Sequence, residues 1–246
     1  STQMSQNGVG YMASDSGIVY KTNDNGKSWK KIITGYLGSL LSVSMLSSEE
    51  VFVGGADADS QGYKGIVIFS GDGGETWKKI LSTPNFVNKI YFKNPSEGYI
   101  LGNYFLPFKT QDGGKTWANI SLDSSTILDR VVYRGASFPT NEVGYLVADR
   151  AVLKTLNGGT SWTLAATPQT PGFEHWNHNT NTGFFFLSQD SGFFISRGMS
   201  GGMTQTTDGL RTVSGISRTM GLHKAKHSEV ATLTTSSSAI SFANKN

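Results

Sequence analysis

Four segments of the chain align without gaps: Thr22-Asn-Asp24-Asn-Gly26-Lys-Ser28-Trp29, Ser70-Gly-Asp72-Gly-Gly74-Glu-Thr76-Trp77, Thr110-Gln-Asp112-Gly-Gly114-Lys-Thr116-Trp117 and Thr155-Leu-Asn157-Gly-Gly159-Thr-Ser161-Trp162. A fifth, Thr206-Thr-Asp208-Gly-Leu210-Arg-Thr212-Val213, keeps the pattern without its tryptophan. The acidic or amide positions recur at intervals of 48, 40, 45 and 51 residues. A period near 45 residues, with several short alternating strands in each, is that of one four-stranded propeller blade. The residue types suit a turn. Asp accepts backbone N–H groups a few residues on, Gly supplies positive φ, and the Trp is expected to open the next strand and bury its ring between blades.

The pattern Ser/Thr-x-Asp-x-Gly-x-Thr/Ser-Trp resembles the Asp-box, or BNR repeat, of sialidases, xyloglucanases, sortilin-type receptors and the photosystem II assembly/stability-factor-like propellers. The resemblance covers roughly residues 3–216. Glu97-Gly-Tyr99-Ile-Leu-Gly102 ahead of Lys109-Thr-Gln-Asp112-Gly-Gly114-Lys-Thr116-Trp117, with Val143-Gly-Tyr145 and Gly8-Val-Gly-Tyr11, looks most like the last group. It implies an all-β propeller of four-stranded antiparallel blades. In these families the boxes sit on a peripheral hairpin away from the axial site, which implies a structural role for Asp24, Asp72, Asp112, Asn157 and Asp208 and for Trp29, Trp77, Trp117 and Trp162.

Composition bounds the remaining classes. Thirty glycines in 246 residues and 16% charged residues describe a chain rich in tight turns. Fourteen Phe, nine Tyr and five Trp exclude intrinsic disorder. No apolar run approaches the ~18 residues of a membrane helix. The absence of cysteine removes disulfides, thiolate metal sites and cysteine nucleophiles. A net charge of +3 is too small a surplus to imply nucleic acid. The chain starts at Ser1 without Met, as expected of a processed or excised piece.

One propeller domain over 1–246 is expected, with repeats at about 2–37, 38–83, 84–123, 124–167 and 168–216. Residues 217–246 lack a box and are expected to form a partial or closing sixth blade, with five blades and a packed tail as the alternative. Alternation places inner strands at Thr2–Ser5, Leu41–Leu46, Lys89–Phe92, Arg130–Tyr133 and Phe184–Ser188. It places outer strands from Thr76, Thr116, Ser161 and Thr212 onward. In the second repeat the middle strands are expected at Val51–Gly54 and Gly65–Phe69.

Antiparallel blades put the box turns on one face, so recognition is expected on the other, at the B–C loops and D–A crossings. Those positions hold Asp57, Asp59, Tyr63, Tyr104, Phe105, Asp129, Arg130, Asp149, Arg150 and Arg197. The longest crossing adds Pro171-Gly-Phe173-Glu174-His175-Trp176-Asn177-His178. Binding is assigned to Trp176, His175, His178, Glu174, Arg130, Arg150, Arg197, Tyr104 and Tyr63. Trp176 is either a channel plug or a stacking platform, and the arginines either pair with Asp129 and Asp149 or present forked donors to a carboxylate. His175 and His178 lack a third ligand in sequence, so no metal is assigned. Asp57-x-Asp59-x-Gln61-Gly62 copies the opening of a calcium loop, but its twelfth position is Ile68 where a bidentate Glu is needed, which leaves calcium open.

No cofactor is implied. The favoured reading is a non-catalytic extracytoplasmic propeller that binds a protein partner or helps a complex assemble. A carbohydrate-binding propeller is the alternative. A glycoside hydrolase fits least, because the Arg-Ile-Pro-type opening motif that the sialidase resemblance would imply is missing and, of seven glutamates, Glu174 alone is placed on the loop face.

Overall fold

In the computed structural model the described residues are 1–59, 62–122, 130–167, 169–171, 181–196 and 202–216. They form five consecutive four-stranded meanders. The first joins β1 (Thr2–Met4), β2 (Gly10–Ala13), β3 (Ile18–Thr22) and β4 (Lys30–Ile33), and the second β5 (Leu40–Met45), β6 (Val51–Asp59), β7 (Gly62–Ser70) and β8 (Lys78–Thr83). The third is β9 (Val87–Phe92), β10 (Gly98–Gly102), β11 (Phe108–Thr110) and β12 (Ala118–Asn119). The fourth is β13 (Tyr133–Ser137), β14 (Gly144–Ala148), β15 (Val152–Thr155) and β16 (Thr163–Ala166). The fifth is β17 (Asn181–Phe186), β18 (Gly192–Ser196), β19 (Gly202–Thr206) and β20 (Ser214–Ile216). This is the blade unit, repeated. The expected closing segment 217–246 lies outside the described residues. Two compact units, Ser1–Ala136 and Ser137–Asn246, divide the chain inside β13.

Each box closes the turn between a sheet's third and fourth strands by one set of bonds. In the second sheet the Ser70 hydroxyl donates to Asp72 Oδ1 at 2.7 Å and accepts the Gly74 N–H at 2.8 Å. Asp72 then accepts the Thr76 N–H at 2.9 Å and the Thr76 hydroxyl at 2.5 Å. Asp24, Asp112 and Asp208 repeat this with Ser28, Thr116 and Thr212. Asn157 keeps the geometry with one bond reversed. Its Oδ1 accepts the Ser161 N–H at 3.0 Å while its Nδ2 donates to the Ser161 hydroxyl at 2.9 Å. A serine hydroxyl can take either part, so the amide is tolerated.

Two consecutive left-handed residues bend each box, such as Gly73 and Gly74 with φ of 71° and 92°. A Cβ at Gly74 or Gly114 would meet the following tryptophan ring at 3.5 and 3.3 Å. The fifth box inverts this pair. Leu210 takes the second left-handed position at φ 75° and is buried, and Val213 stands where the other boxes have Trp. The leucine side chain packs into the same apolar cluster as Val213, at the expense of a strained backbone.

The bonds to Asp explain a displaced strand. The fourth strands begin at Lys78, Ala118, Thr163 and Ser214, two residues later than the sequence pattern suggests. The N–H groups of Thr76, Thr116, Ser161 and Thr212 are committed to the box side chain instead of the ladder. In the fourth sheet the inner strand starts at Tyr133, not Arg130, because Arg130 has a left-handed backbone at φ 55°.

In the first unit one apolar cluster packs Tyr11, Val19, Val43, Val53 and Ile68 between the first and second sheets, with Trp77 at its margin. A second packs Phe52, Val67, Val87, Ile90 and Ile100 between the second and third, with Trp117 beside it. In the second unit Tyr145, Val152, Phe186, Phe194, Leu210 and Val213 form the corresponding core. Burial of the tryptophans is uneven, contrary to the uniform burial that the repeat suggests. Trp162 is fully buried, edge-on to Phe138 at 6.0 Å, whereas Trp29, Trp77 and Trp117 are half-buried. In these three each indole N–H donates to the carbonyl of its own box glycine, at 3.0–3.1 Å.

The Gly-Tyr strands latch neighbouring sheets. Tyr11 on β2 donates its hydroxyl to Ser48 O and Gly73 O of the second sheet, each at 2.9 Å. Burial, with Glu49, Asp72 and Glu75 nearby, pushes its phenol up to about 12, so it stays a donor. Tyr145 on β14 donates likewise to Gln189 O of the fifth sheet at 2.5 Å. The opposite lysine on the third strand adds to the latch: Lys21 and Lys154 lie over these rings and donate to the same Gly73 and Gln189 carbonyls.

Trp162→Ala should cost about 3–5 kcal/mol in denaturant titration, the range for deleting a fully buried large aromatic, and Trp29→Ala clearly less. Equal losses would show that burial of the ring does not set its contribution. Hydroxyl and backbone donors hold Asp24, Asp72, Asp112 and Asp208 at about 2. A carboxylate lowered on folding stabilises the fold above its unfolded value, and that stability is lost as pH falls through the folded one. Thermal midpoints should therefore drop between about pH 4 and pH 2. Asp72→Asn, which copies Asn157, should make that drop shallower. An unaltered slope would remove the boxes from the acid response.

Candidate functional site

Within each meander the box lies at the same end as the first hairpin. The opposite end of the third sheet carries a loop, residues 103–107, pinned along its length. Asn103 N–H donates to Phe86 O at 3.0 Å, Tyr104 N–H to Val131 O at 2.9 Å, and Ile120 N–H to Pro107 O at 2.8 Å. Asn119 Nδ2 donates to Leu106 O at 2.9 Å. A lone bridge pairs Asn103 with Val132. Asn88 on β9 ties the arrangement together, since its Nδ2 reaches Asn103 Oδ1 at 2.7 Å and Tyr133 O at 3.1 Å. Gly102 is required at the loop's start. A Cβ there would stand 2.1 Å from Phe86 O and 2.5 Å from the Phe105 ring.

These bonds set the Tyr104 backbone beside the segment that begins at Arg130. Both residues have left-handed backbones, φ 58° and 55°, and both are exposed. A left-handed non-glycine residue costs of order 1 kcal/mol or more and persists only where its surroundings fix it. The Tyr104 ring is 57% exposed in spite of its pinned backbone. The end of the third sheet thus presents a rigidly based aromatic and an always-charged guanidinium, able to stack and to donate forked hydrogen bonds.

The other sequence candidates are placed differently. Asp57, Asp59 and Tyr63 belong to the long β6–β7 hairpin and not to a loop, with Asp57 opposite Lys64 and Asp59 opposite Gly62. Asp57 accepts the Leu37 N–H at 3.2 Å; the side chains of Asp59 and Tyr63 lie outside the described residues. Asp57 and Asp59 of the calcium-like pattern stand on the extended β6 strand, and its Gln61 lies outside the described residues. In the second unit Asp149 and Arg150 form the tight β14–β15 turn, closed by Ala148 N–H to Ala151 O at 2.9 Å, with Asp149 buried and Arg150 exposed. Asp129, Glu174, His175, Trp176, His178 and Arg197 lie outside the described residues. Among the described residues no three His, Asp or Glu side chains gather as a metal site. Sequence reading missed Asn88 and Asn103. Their signal was a polar residue on an inner strand and another directly after a conspicuous glycine.

Three solved structures are similar to the chain in fold. An ancestral GH74 enzyme matches with TM-score 0.64 and 21% identity, over 88% of this chain and 30% of that one. The GH74 xyloglucanase from Xanthomonas campestris matches with TM-score 0.58 and 12% identity, over 85% and 36%. YCF48 bound to D1 peptide matches with TM-score 0.52 and 14% identity, over 87% and 79%. The chain therefore spans about a third of the length of the GH74 enzymes that it resembles. These likenesses identify the fold as a β-propeller. No curated protein matches the chain by sequence. Residues 74–204, more than half of the 246, match one family model, and by that match the chain belongs to the photosynthesis system II assembly factor YCF48 family.

Proposed function

We propose that the chain is a non-catalytic binding scaffold that holds an extended peptide segment of a protein partner. The observation that carries this reading is the pinned loop with left-handed Tyr104, set beside the left-handed Arg130 that precedes the fourth sheet, at the end of the third sheet away from the box. Aromatic and arginine side chains on a fixed base lose little entropy when a partner docks and dominate interface energetics. Family membership supports it, and so does the structure of a YCF48 with a D1 peptide bound.

The carboxylates also favour binding over hydrolysis. Asp24, Asp72, Asp112 and Asp208 are held at about 2 by turn donors and are poor proton donors at neutral pH. Glu97 is engaged by Lys93 at 2.5 Å and Lys109 at 3.7 Å. The reading extends to Arg150, Arg197, Glu174, His175, Trp176 and His178 as further contact residues, and to an extracytoplasmic location.

A phage-displayed random peptide library selected on the protein should yield binders. Tyr104→Ala with Arg130→Ala should weaken them by at least ~2 kcal/mol, about thirtyfold, and leave the thermal midpoint within a few degrees. Unchanged peptide affinity in the double variant would remove this surface from the proposal. Release of reducing ends from xyloglucan by the purified protein would overturn the non-catalytic reading.

A further inference from the structure

The inner strands of the first three sheets border an open feature that the scaffold reading does not use. β1, β5 and β9 border a cavity of about 230 Å3 lined by Thr2, Gln3, Val43, Ser44, Lys89, Ile90, Tyr91 and Phe92. It shares no lining residue with the Tyr104 loop. One wall is fixed by side-chain bonds between strands. Gln3 Oε1 accepts the Met45 N–H at 2.8 Å, and the Ser42 hydroxyl oxygen accepts the Ile90 N–H at 2.9 Å.

Lys89 is the one charged side chain in the lining. Other lysines of the first unit are provided for: Lys21 donates to a carbonyl over a tyrosine ring, Lys93 and Lys109 meet Glu97, and Lys30 meets Glu75. Among the described residues no ion pair involves Lys89. Its partner across the ladder is Leu101, and its strand neighbours are Asn88 and Ile90. Burial alone lowers its pKa, the mark of an ammonium that has lost water without gaining an anion. A half-buried cation that lines a cavity gains from a negative group that enters it.

We propose that this cavity is a carboxylate-binding site, with the Lys89 ammonium as counter-ion and the Ser44 hydroxyl in the same lining as a further donor. Val43, Ile90 and Phe92 supply apolar wall for a short methylene stem, so the ligand is a small acid or an acidic group at the tip of a peptide. The shared chemistry is one carboxylate on a short aliphatic stem. The site is independent of Tyr104 and Arg130, and either proposal survives failure of the other.

The test is NMR of protein labelled with 13C and 15N at lysine, with the Lys89 signal assigned by its loss in Lys89→Met. The probes are sodium glutarate and the peptide acetyl-Ser-Asp-Asp-Ser, with free and with amidated C-terminus. Each is titrated against sodium chloride at equal ionic strength. The expected result is a saturable shift of the Lys89 signal that chloride does not produce. In uniformly 15N-labelled samples the Gln3 and Ser44 amide signals should then report binding at least tenfold weaker in Lys89→Met and retained in Lys89→Arg. Equal affinity for both peptides assigns the site to side-chain carboxylates, and binding of the free form alone assigns it to a chain terminus; both support the proposal. Absence of a saturable shift with every probe would overturn it, as would equal affinity in a Lys89→Met protein whose circular dichroism is native.

Discussion

Each of the five sheets depends on a backbone bond that ties its two hairpins together. The N–H of the first left-handed box residue donates to the carbonyl of the turn between the first and second strands. The five bonds are Asn25 to Gly8, Gly73 to Glu49, Gly113 to Ser96, Gly158 to Glu142 and Gly209 to Asp190, all at 2.8–3.0 Å. A four-stranded meander of mostly three- to six-residue strands has little ladder to hold it in register. Fixing both turns of one end to each other removes that freedom. The Asp or Asn side chain serves this bond indirectly, because it sets the left-handed bend that aims the N–H. The first turns are closed in the same spirit, by Ser47, Asn94, Thr140 and Ser188 accepting backbone N–H groups two or three residues on.

The same end also joins one sheet to the next. Tyr11 and Tyr145 donate to carbonyls in the turns of the following sheet, so a turn held rigid within one blade becomes a fixed acceptor for its neighbour. The second sheet lacks the phenol. Phe52 occupies the equivalent strand and packs instead with Phe69, Phe92 and Trp117, at centroid distances of 4.7, 5.1 and 6.4 Å. A directional bond is replaced by dispersion and edge contacts at similar burial. The family texture of Gly followed by Tyr has its physical reason in this latch. The glycine admits the aromatic ring of the preceding strand, as Phe92 over Gly98 and Phe186 over Gly192 demonstrate.

How far the sequence revealed this differs by link. The box spacing and alternation located all five meanders, and β14 has the bounds that its pattern suggested. What local pattern could not show was competition for backbone donors. Thr76 looks like a strand residue, yet its N–H belongs to Asp72. Asp57 looks like a loop ligand, yet pairing continues past the packed part of β6 as far as Asp59. Tyr104 and Arg130 were legible as exposed candidates from their places after β10 and before β13. Their adjacency was not legible, because it rests on bonds between the 103–107 loop and the segment at Val131, 27 residues apart for Tyr104 N–H and Val131 O. Lys89 looks like an ordinary strand residue, because desolvation is a property of neighbours that sequence does not show.

Over-determination of one end frees the other. The connections between second and third strands take a different form in each unit of the repeat: residues 14–17 in the first sheet, a long two-stranded arm in the second, the pinned loop 103–107 in the third and the tight Asp149-Arg150 turn in the fourth. The box ends barely vary over the same sheets. A change at a box turn alters register, inter-sheet latching and the acid response together, so these ends have little room for new chemistry. A change in a second-to-third connection alters only what the sheet presents. Stability and recognition are thus separated along the strand direction, over the length of a single short strand. Strain tolerated at Tyr104 is affordable for this reason, since the opposite end of the same sheet is held by Asp112, Thr116 and the bond from Gly113 to Ser96.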